Sequence, residues 1–212
     1  MSIYLKMKNL FYTLSIFAAI TIFGCAKASA QDLLKLHQKD LGKIENYFNK
    51  IETIDADFLQ TDASSSIAEG KFLLSRPGKM RIEYQQPNKL LIIVNGRVLS
   101  YVDVELEETS HLSTNSTPAS FLTRKKFSFA AKDIELVNFE KDIRFFKVTI
   151  VKKNKKEAGT FTLIFARNPI EFVSMKVKND LDETAEVTLK NTKFGSKIDS
   201  KLFVIKNKNL PQ

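Results

Sequence analysis

Between residues 32 and 51 the apolar side chains return at helical intervals: Leu34, Leu41, Ile44, Phe48 and Ile51 share one stripe, which Leu33 and Leu36 widen. A period near 3.6 with a single apolar stripe predicts one amphipathic helix lying on another apolar surface. His37 falls on the same stripe, where a lone histidine is expected to be a partly buried packing residue and not a ligand.

From Ile54 onward the period becomes two. Ile54, Ala56 and Phe58 alternate with Asp55 and Asp57, and Met80, Ile82 and Tyr84 alternate with Arg81, Glu83 and Gln85. Phe161, Leu163 and Phe165 repeat the pattern, as do Ala185, Val187 and Leu189. Alternation of this kind marks strands with one buried face. Val94-Asn95-Gly96-Arg97 joins two apolar runs through an Asn-Gly pair, a strong signal for a two-residue hairpin. Arg76-Pro77-Gly78, Gln86-Pro87-Asn88, Lys152 to Lys156, Asn168-Pro169 and Asn179 to Glu183 punctuate the other runs with turn formers. Roughly ten strands with short connections predict a mainly β protein built on one large antiparallel sheet. Its apolar face must be covered by a second sheet, by closure into a barrel, or by helices. Besides the N-terminal helix, only residues 117–131 read as helical, with Thr117 as N-cap, Pro118 at the first helical position, and Ala119, Phe121 and Leu122 as a short apolar face. A curved sheet partly covered by a few helices is the economical solution.

Residues 1–30 differ from the rest. Lys6 and Lys8 precede an apolar run from Leu10 to Phe23, and Ala28-Ser29-Ala30 follows. The run is shorter than the ~20 residues of a membrane-spanning helix, so it reads as a secretory signal peptide removed after Ala30, leaving one domain over 31–212. A second reading stands beside it: Ile22-Phe23-Gly24-Cys25 resembles a lipobox, which would make Cys25 a lipidated N-terminus, although the bulky Phe23 counts against this. Cleavage after Ala30 leaves no cysteine, so stability rests on the core and not on disulfides. The net charge of +9 falls to +6 when Lys6, Lys8 and Lys27 are lost. Only six of the 33 basic residues are arginine and they do not cluster, the pattern of a solvated surface. A focused basic stripe or a reading motif for nucleic acid is missing.

With His37 and His111 as the two histidines and no cysteine in the mature chain, a Cys-His pair is excluded and no zinc site is expected. Nucleophile-elbow and P-loop patterns are absent. Asp180, Asp182 and Glu183 lack the glycine and spacing of a calcium loop and read as a solvated turn. The chain is therefore read as a binding protein: not an enzyme, with no metal and no cofactor. One residue interrupts the apolar pattern. Strand alternation places Ala68, Gly70, Phe72, Leu74 and Arg76 on one face, so an arginine ends an apolar row. Periodicity leaves two readings open: Arg76 reaches the rim and snorkels into water, or its guanidinium bonds carbonyls of a helix lying over the sheet. Fourteen phenylalanines after Ala30 suit a filled core and an apolar cavity equally.

The stretch Glu69-Gly70-Lys71-Phe72-Leu73-Leu74-Ser75-Arg76-Pro77-Gly78-Lys79-Met80-Arg81-Ile82-Glu83-Tyr84, followed by Pro87 and Asn95-Gly96, resembles the LolA-type periplasmic carriers of outer-membrane lipoproteins. Ala56-Asp57-Phe58-Leu59-Gln60, Thr117-Pro118, Gly159-Thr160-Phe161-Thr162-Leu163, the turn before Pro169 and Val187-Thr188-Leu189-Lys190-Asn191 extend the likeness over nearly the whole mature chain. The resemblance implies an unclosed antiparallel β-barrel, or half-barrel, of ten to eleven strands with a helical lid over a hydrophobic cavity. It implies that Arg76 latches the lid. Phe58, Phe72, Leu74, Met80, Ile82, Tyr84, Ile92, Val94, Phe121 and Leu122 are the residues expected along the cavity. The implied partners are the acyl chains of outer-membrane lipoproteins, an inner-membrane ABC-type release complex and an outer-membrane acceptor, with the carrier acting as a periplasmic monomer. A lipidated Cys25 would instead make the chain an anchored acceptor of the LolB kind, and a lipoprotein-sensing module on the same fold is a further alternative. The chain departs from some family members in having no tryptophan and in ending soon after Phe203.

Overall fold

The computed structural model describes residues 29–87, 89–155, 159–179 and 181–205. The leader with Cys25, Asn88, Lys156 and Asp180 of the expected turns, and positions 206–212 lie outside the described residues.

Eleven antiparallel strands form one sheet. In chain order they are β1 (Thr53–Asp62), β2 (Ile67–Ser75), β3 (Lys79–Tyr84), β4 (Leu90–Asn95), β5 (Val98–Asp103), β6 (Glu108–Ser113), β7 (Ile134–Lys141), β8 (Phe145–Lys152), β9 (Thr160–Arg167), β10 (Ile170–Lys178) and β11 (Thr184–Phe194). The spatial order is β6-β5-β4-β3-β2-β1-β11-β10-β9-β8-β7. Two meanders are thus joined where β1 pairs with β11, and β6 and β7 are the two edges of a sheet that does not close. The segment between those edges crosses from one to the other and carries a 3-10 turn (Thr114–Ser116) and the helix α3 (Ala119–Thr123).

Strand parity puts the apolar set inward as its alternation requires. Ile54, Ala56 and Phe58 are buried on β1, and cross-strand partners such as Leu74, Met80, Val94 and Leu99 continue one inward row. Gly70 lies between Phe58 and Tyr84 in the register, and the two rings meet edge-on at 5.1 Å over it. A Cβ there would stand 2.6 Å from Phe58 Cε1 and closer still to the backbone oxygen of Glu83, so only glycine fits. At the Asn-Gly turn, Asn95 pairs with Val98, so the two loop residues are Gly96 and Arg97, one place later than the Asn-Gly reading. Gly96 alone of the two has positive φ (62°), the pattern of a turn with glycine at its first central position.

The N-terminal helix is not continuous. It divides into α1 (Ala30–Leu36) and α2 (Gln38–Asn49) at His37, whose backbone leaves the helical region while its ring packs on Phe139 at 4.4 Å. His37 is half-buried, as its stripe position suggests, but Leu36 is turned out to solvent by the break. Ser29 caps α1 through a capping box with Asp32, so the expected cleavage site falls in the first turn of this helix. α2 buries Leu41, Ile44 and Phe48 against the concave side of the sheet. The second helical stretch is also shorter than the pattern suggests: only Ala119–Thr123 is α-helical, Pro118 occupies the cap position, and the Thr117 hydroxyl donates back to Thr114 O instead of capping forward. On the convex side a 3-10 turn (Ser200–Phe203) crosses β3 and β4 and buries Phe203, and Arg81 is held there by Glu83 and by Leu202 O at 2.9 Å.

Candidate functional site

The concave face and the helices over it form one continuous apolar body, and Arg76 stands at its rim. β2 brings Arg76 there because the row Gly70, Phe72, Leu74 ends one step beyond the last paired residue, Ser75. Its Nε donates to Leu122 O of α3 at 2.6 Å, and its Nη1 donates to Phe48 O at the end of α2 at 2.6 Å and to Ile51 O at 3.4 Å. Phe48 O and Leu122 O are carbonyls that a helix C-terminus leaves without intrahelical donors, and Ile51 O lies just beyond the end of α2. A cation is also favoured there by the partial negative charge of the twelve-residue α2. The guanidinium lies over the Phe48 ring at 4.1 Å, adding a cation-π contact. Of the two readings of Arg76, the structure shows the bonded one: a single side chain just past the end of β2 joins the ends of α2 and α3.

Burial and the nearby charge of Arg124 lower the Arg76 pKa to about 10. That value still leaves it charged at neutral pH. Its third nitrogen, Nη2, is buried without a hydrogen-bond partner among the described residues. Two backbone bonds reinforce the same corner, from Gly78 N–H to Thr123 O and from Gly96 N–H to Gly78 O, each 2.7 Å. Gly78 has φ of 81°, which lets the turn after Arg76 present that N–H to the lid.

The residues expected along the cavity all belong to one cluster. Phe58, Phe72, Leu74, Met80, Val94, Phe121 and Leu122 are buried, and Ile82, Tyr84 and Ile92 are half-buried against them. Phe121 of α3 points into the half-barrel and stacks on Phe161 at 5.9 Å. At the end of the face away from Arg76, a depression of about 320 Å³ opens between Gln60, Ala68, Tyr84, Leu90 and Tyr101. There the Tyr84 hydroxyl donates to Gln60 Oε1 at 2.6 Å, and burial raises the tyrosine's pKa. A wider hollow of about 720 Å³ lies past Lys71, Glu83 and Leu91, largely on the convex side.

Several participants are not among the residues expected along the cavity. Phe48 sits among Phe127, Phe165 and Phe172 with ring centroids 5.4 to 5.7 Å away. Asn49 and Glu45 of α2 hold the segment after α3 as a neighbouring strand would: Asn49 exchanges bonds with Phe127 N and O at 2.7 and 2.8 Å, and Glu45 accepts from Phe129 N at 2.7 Å. The alternation of Phe161 and Phe165 was a usable signal for their inward direction; backbone carbonyls and the irregular stretch 124–133 carry none. Among the described residues no group of three or more His, Cys, Asp or Glu is placed to hold a metal ion, and no helix is long and apolar enough to cross a membrane.

Comparison with known proteins places this arrangement. An outer-membrane lipoprotein carrier protein of Coxiella burnetii is 26% identical over 205 residues, spanning 88% of this chain and 88% of the relative. That of Methylococcus capsulatus is 25% identical over 170 residues, spanning 76% and 80% respectively. An uncharacterized protein of Rickettsia prowazekii is 27% identical over 167 residues, 79% of this chain and 76% of its own length. Among solved structures, a LolA superfamily protein from Nitrosomonas europaea covers 78% of this chain at 10% identity with a TM-score of 0.47. Residues 49–206, which run from the end of α2 past the convex 3-10 turn, match the family described as outer membrane lipoprotein carrier protein LolA, and the chain belongs to that family.

Proposed function

We propose that residues 31–212, freed from a signal peptide over 1–30, form a monomeric periplasmic chaperone. It takes lipoproteins from an inner-membrane ABC-type release complex, shields their acyl chains on the concave face, and passes them to an outer-membrane acceptor. The observation that carries this reading is the bonding of Arg76 to Phe48 O and Leu122 O, which ties two helices down over an apolar sheet. An acyl chain leaving a bilayer loses about 0.8 kcal/mol of burial per CH₂, so a carrier must offer apolar surface in exchange. An empty apolar hollow would be wasteful, and the side chains of α3 occupy the space here; the ligand enters by displacing them.

Such a lid must hold and yet release. Hydrogen bonds from a charged donor contribute about 1.5 to 3 kcal/mol each. Against them stand the desolvation of the guanidinium, the charge of Arg124 and the unpartnered Nη2, all of which weaken the closed state. This chain itself makes or breaks no covalent bond in the cycle and uses no metal or cofactor; the ATP is consumed by the release complex.

The test is transfer. Inner-membrane vesicles, ATP and the purified protein are incubated, and the soluble fraction is assayed for a one-to-one lipoprotein complex, which is then offered to acceptor membranes. Wild type is expected to yield the complex and deliver it. With Arg76→Leu the lid is loose, so ligand is retained and delivery falls about tenfold or more, the equivalent of one lost charged hydrogen bond. Unchanged delivery by Arg76→Leu refutes the latch.

A further inference from the structure

We infer that α3 carries a second fastening, a clasp formed by Arg124 and Asp133, which holds Phe121 inside the half-barrel against the β7–β9 wall. This rests on the carrier reading above and names another residue pair that regulates the same site.

Arg124 follows the last turn of α3, and Asp133 immediately precedes β7. The two form a bidentate pair, Nη2 to Oδ2 at 2.9 Å and Nη1 to Oδ1 at 3.3 Å. The remaining donor, Nε, bonds Ser120 O of α3 at 3.1 Å, so one guanidinium joins the helix to the start of the edge strand. A fork matched to a carboxylate fixes orientation as well as distance. Asp133 is anchored in turn, because its backbone oxygen accepts from Lys153 N at 3.0 Å and its carboxyl lies below the usual range through the Arg124 bond.

The side chain so held is Phe121. Arg124 stands 5.3 Å from its ring centroid and Lys152 of β8 stands 5.9 Å from it, while Phe161 stacks on it. Lys152 also reaches the Ser120 hydroxyl at 3.3 Å. Phe121 therefore fills, in an apolar cage capped by two cations, a volume on the concave face that an acyl chain needs. Arg76 fastens α3 to the β2–β3 side; Arg124 fastens it to the β7–β8 side. Both must let go for the helix to lift, and the second is the more exposed, with 19% and 44% of the Arg124 and Asp133 side chains accessible. It is thus the weaker and the more salt-sensitive of the two.

The clasp makes a prediction opposite to that of an ordinary structural pair. Removing it destabilises the empty protein slightly but favours the open, ligand-accepting form, so affinity for an acyl ligand rises while thermal stability falls. The measurement is the Kd of a fluorescent dipalmitoyl-glyceryl-cysteinyl peptide, with melting temperature in parallel, for wild type, Arg124→Gln, Asp133→Asn and the double variant. Each single variant is expected to bind about two- to fivefold tighter, the range an exposed pair supplies, and the double variant no tighter than either. Lys178→Gln, which breaks the remote Lys178–Asp182 pair, is expected to leave binding unchanged. Equal or weaker binding by both single variants overturns the clasp while the carrier reading stands. A wild-type protein and variants that all fail to bind the lipopeptide overturn the carrier reading and the clasp together.

Discussion

The two outer parts, or wings, of the sheet, β7–β10 and β5–β6, follow the same alternation and end in opposite states. On β7–β10 the inward row is covered: Phe139, Phe146, Phe161, Phe165 and Phe172 are buried beneath α1, α2 and the segment after α3. Ion pairs join this wing to its cover, Lys141 to Asp40 of α2 at 2.7 Å and Asp133 to Arg124. On β5 and β6 the inward row opens beyond the buried Leu99, with Tyr101 and Leu112 about half exposed and all six residues of β6 solvated. Strand periodicity supplies an apolar face in both wings; whether that face is core or accessible surface depends on where the helices fall. The sheet is thus covered over β1–β4 as well as β7–β10 and left open at the β5–β6 margin, the one part of the concave face that the proposed carrier could offer without moving a helix.

The largest test of this contrast compares one inward residue from each wing. Phe165→Ala is expected to cost about 3 to 5 kcal/mol of unfolding free energy, because three rings close on it, and Leu112→Ala less than about 0.5, both read by urea denaturation. Equal costs would show that both wings are core. Between the wings, Gly70→Ala places a methyl group against Phe58 and the Glu83 carbonyl, and a loss of about 1 to 3 kcal/mol is expected in the same assay. A neutral result there would mean that the β3 backbone at Glu83 as well as the Phe58 ring gives way.

The smallest effect lies in the acid range. Asp40, through its bond with Lys141, and Asp133, through its bond with Arg124, both have carboxyl pKa values below the ordinary 3.8. A lowered folded-state pKa gives stability that is present above the unfolded value and lost as pH falls through the folded one. The closed wing should therefore lose these contributions below about pH 4. Asp133→Asn should flatten that part of the acid profile, and an unchanged profile would remove the pair from the account.

Much of the fold could be read from residue order. Inward and outward faces of β1, β3, β9 and β11 followed from alternation alone, since strand side chains must take opposite sides. The same rule placed Arg76 at the end of an apolar row. It could not say what the guanidinium met, because the acceptors are carbonyls of Phe48, Ile51 and Leu122, and every residue has a carbonyl. The break at His37 was hidden for a related reason: the apolar stripe continues through it, and the ring at the break packs on Phe139, 102 positions away. Arg124 lies in the part of 117–131 that the structure leaves non-helical and Asp133 lies beyond it, so nothing local marks them as a pair.

The sequence by itself determined that this is a one-sided β protein with an N-terminal amphipathic segment, and through one motif it indicated the LolA family. Those features are local, set by side-chain period, turn chemistry and a short run of residues. The resemblance also implied an unclosed sheet and an arginine bonded to helix carbonyls. Only the tertiary structure decided that the open edges are β6 and β7, that α3 lies over the concave face, which carbonyls Arg76 meets, and that Arg124 fastens α3 from a second side. These partners depend on long-range packing and on backbone acceptors, which side-chain period and turn chemistry do not encode.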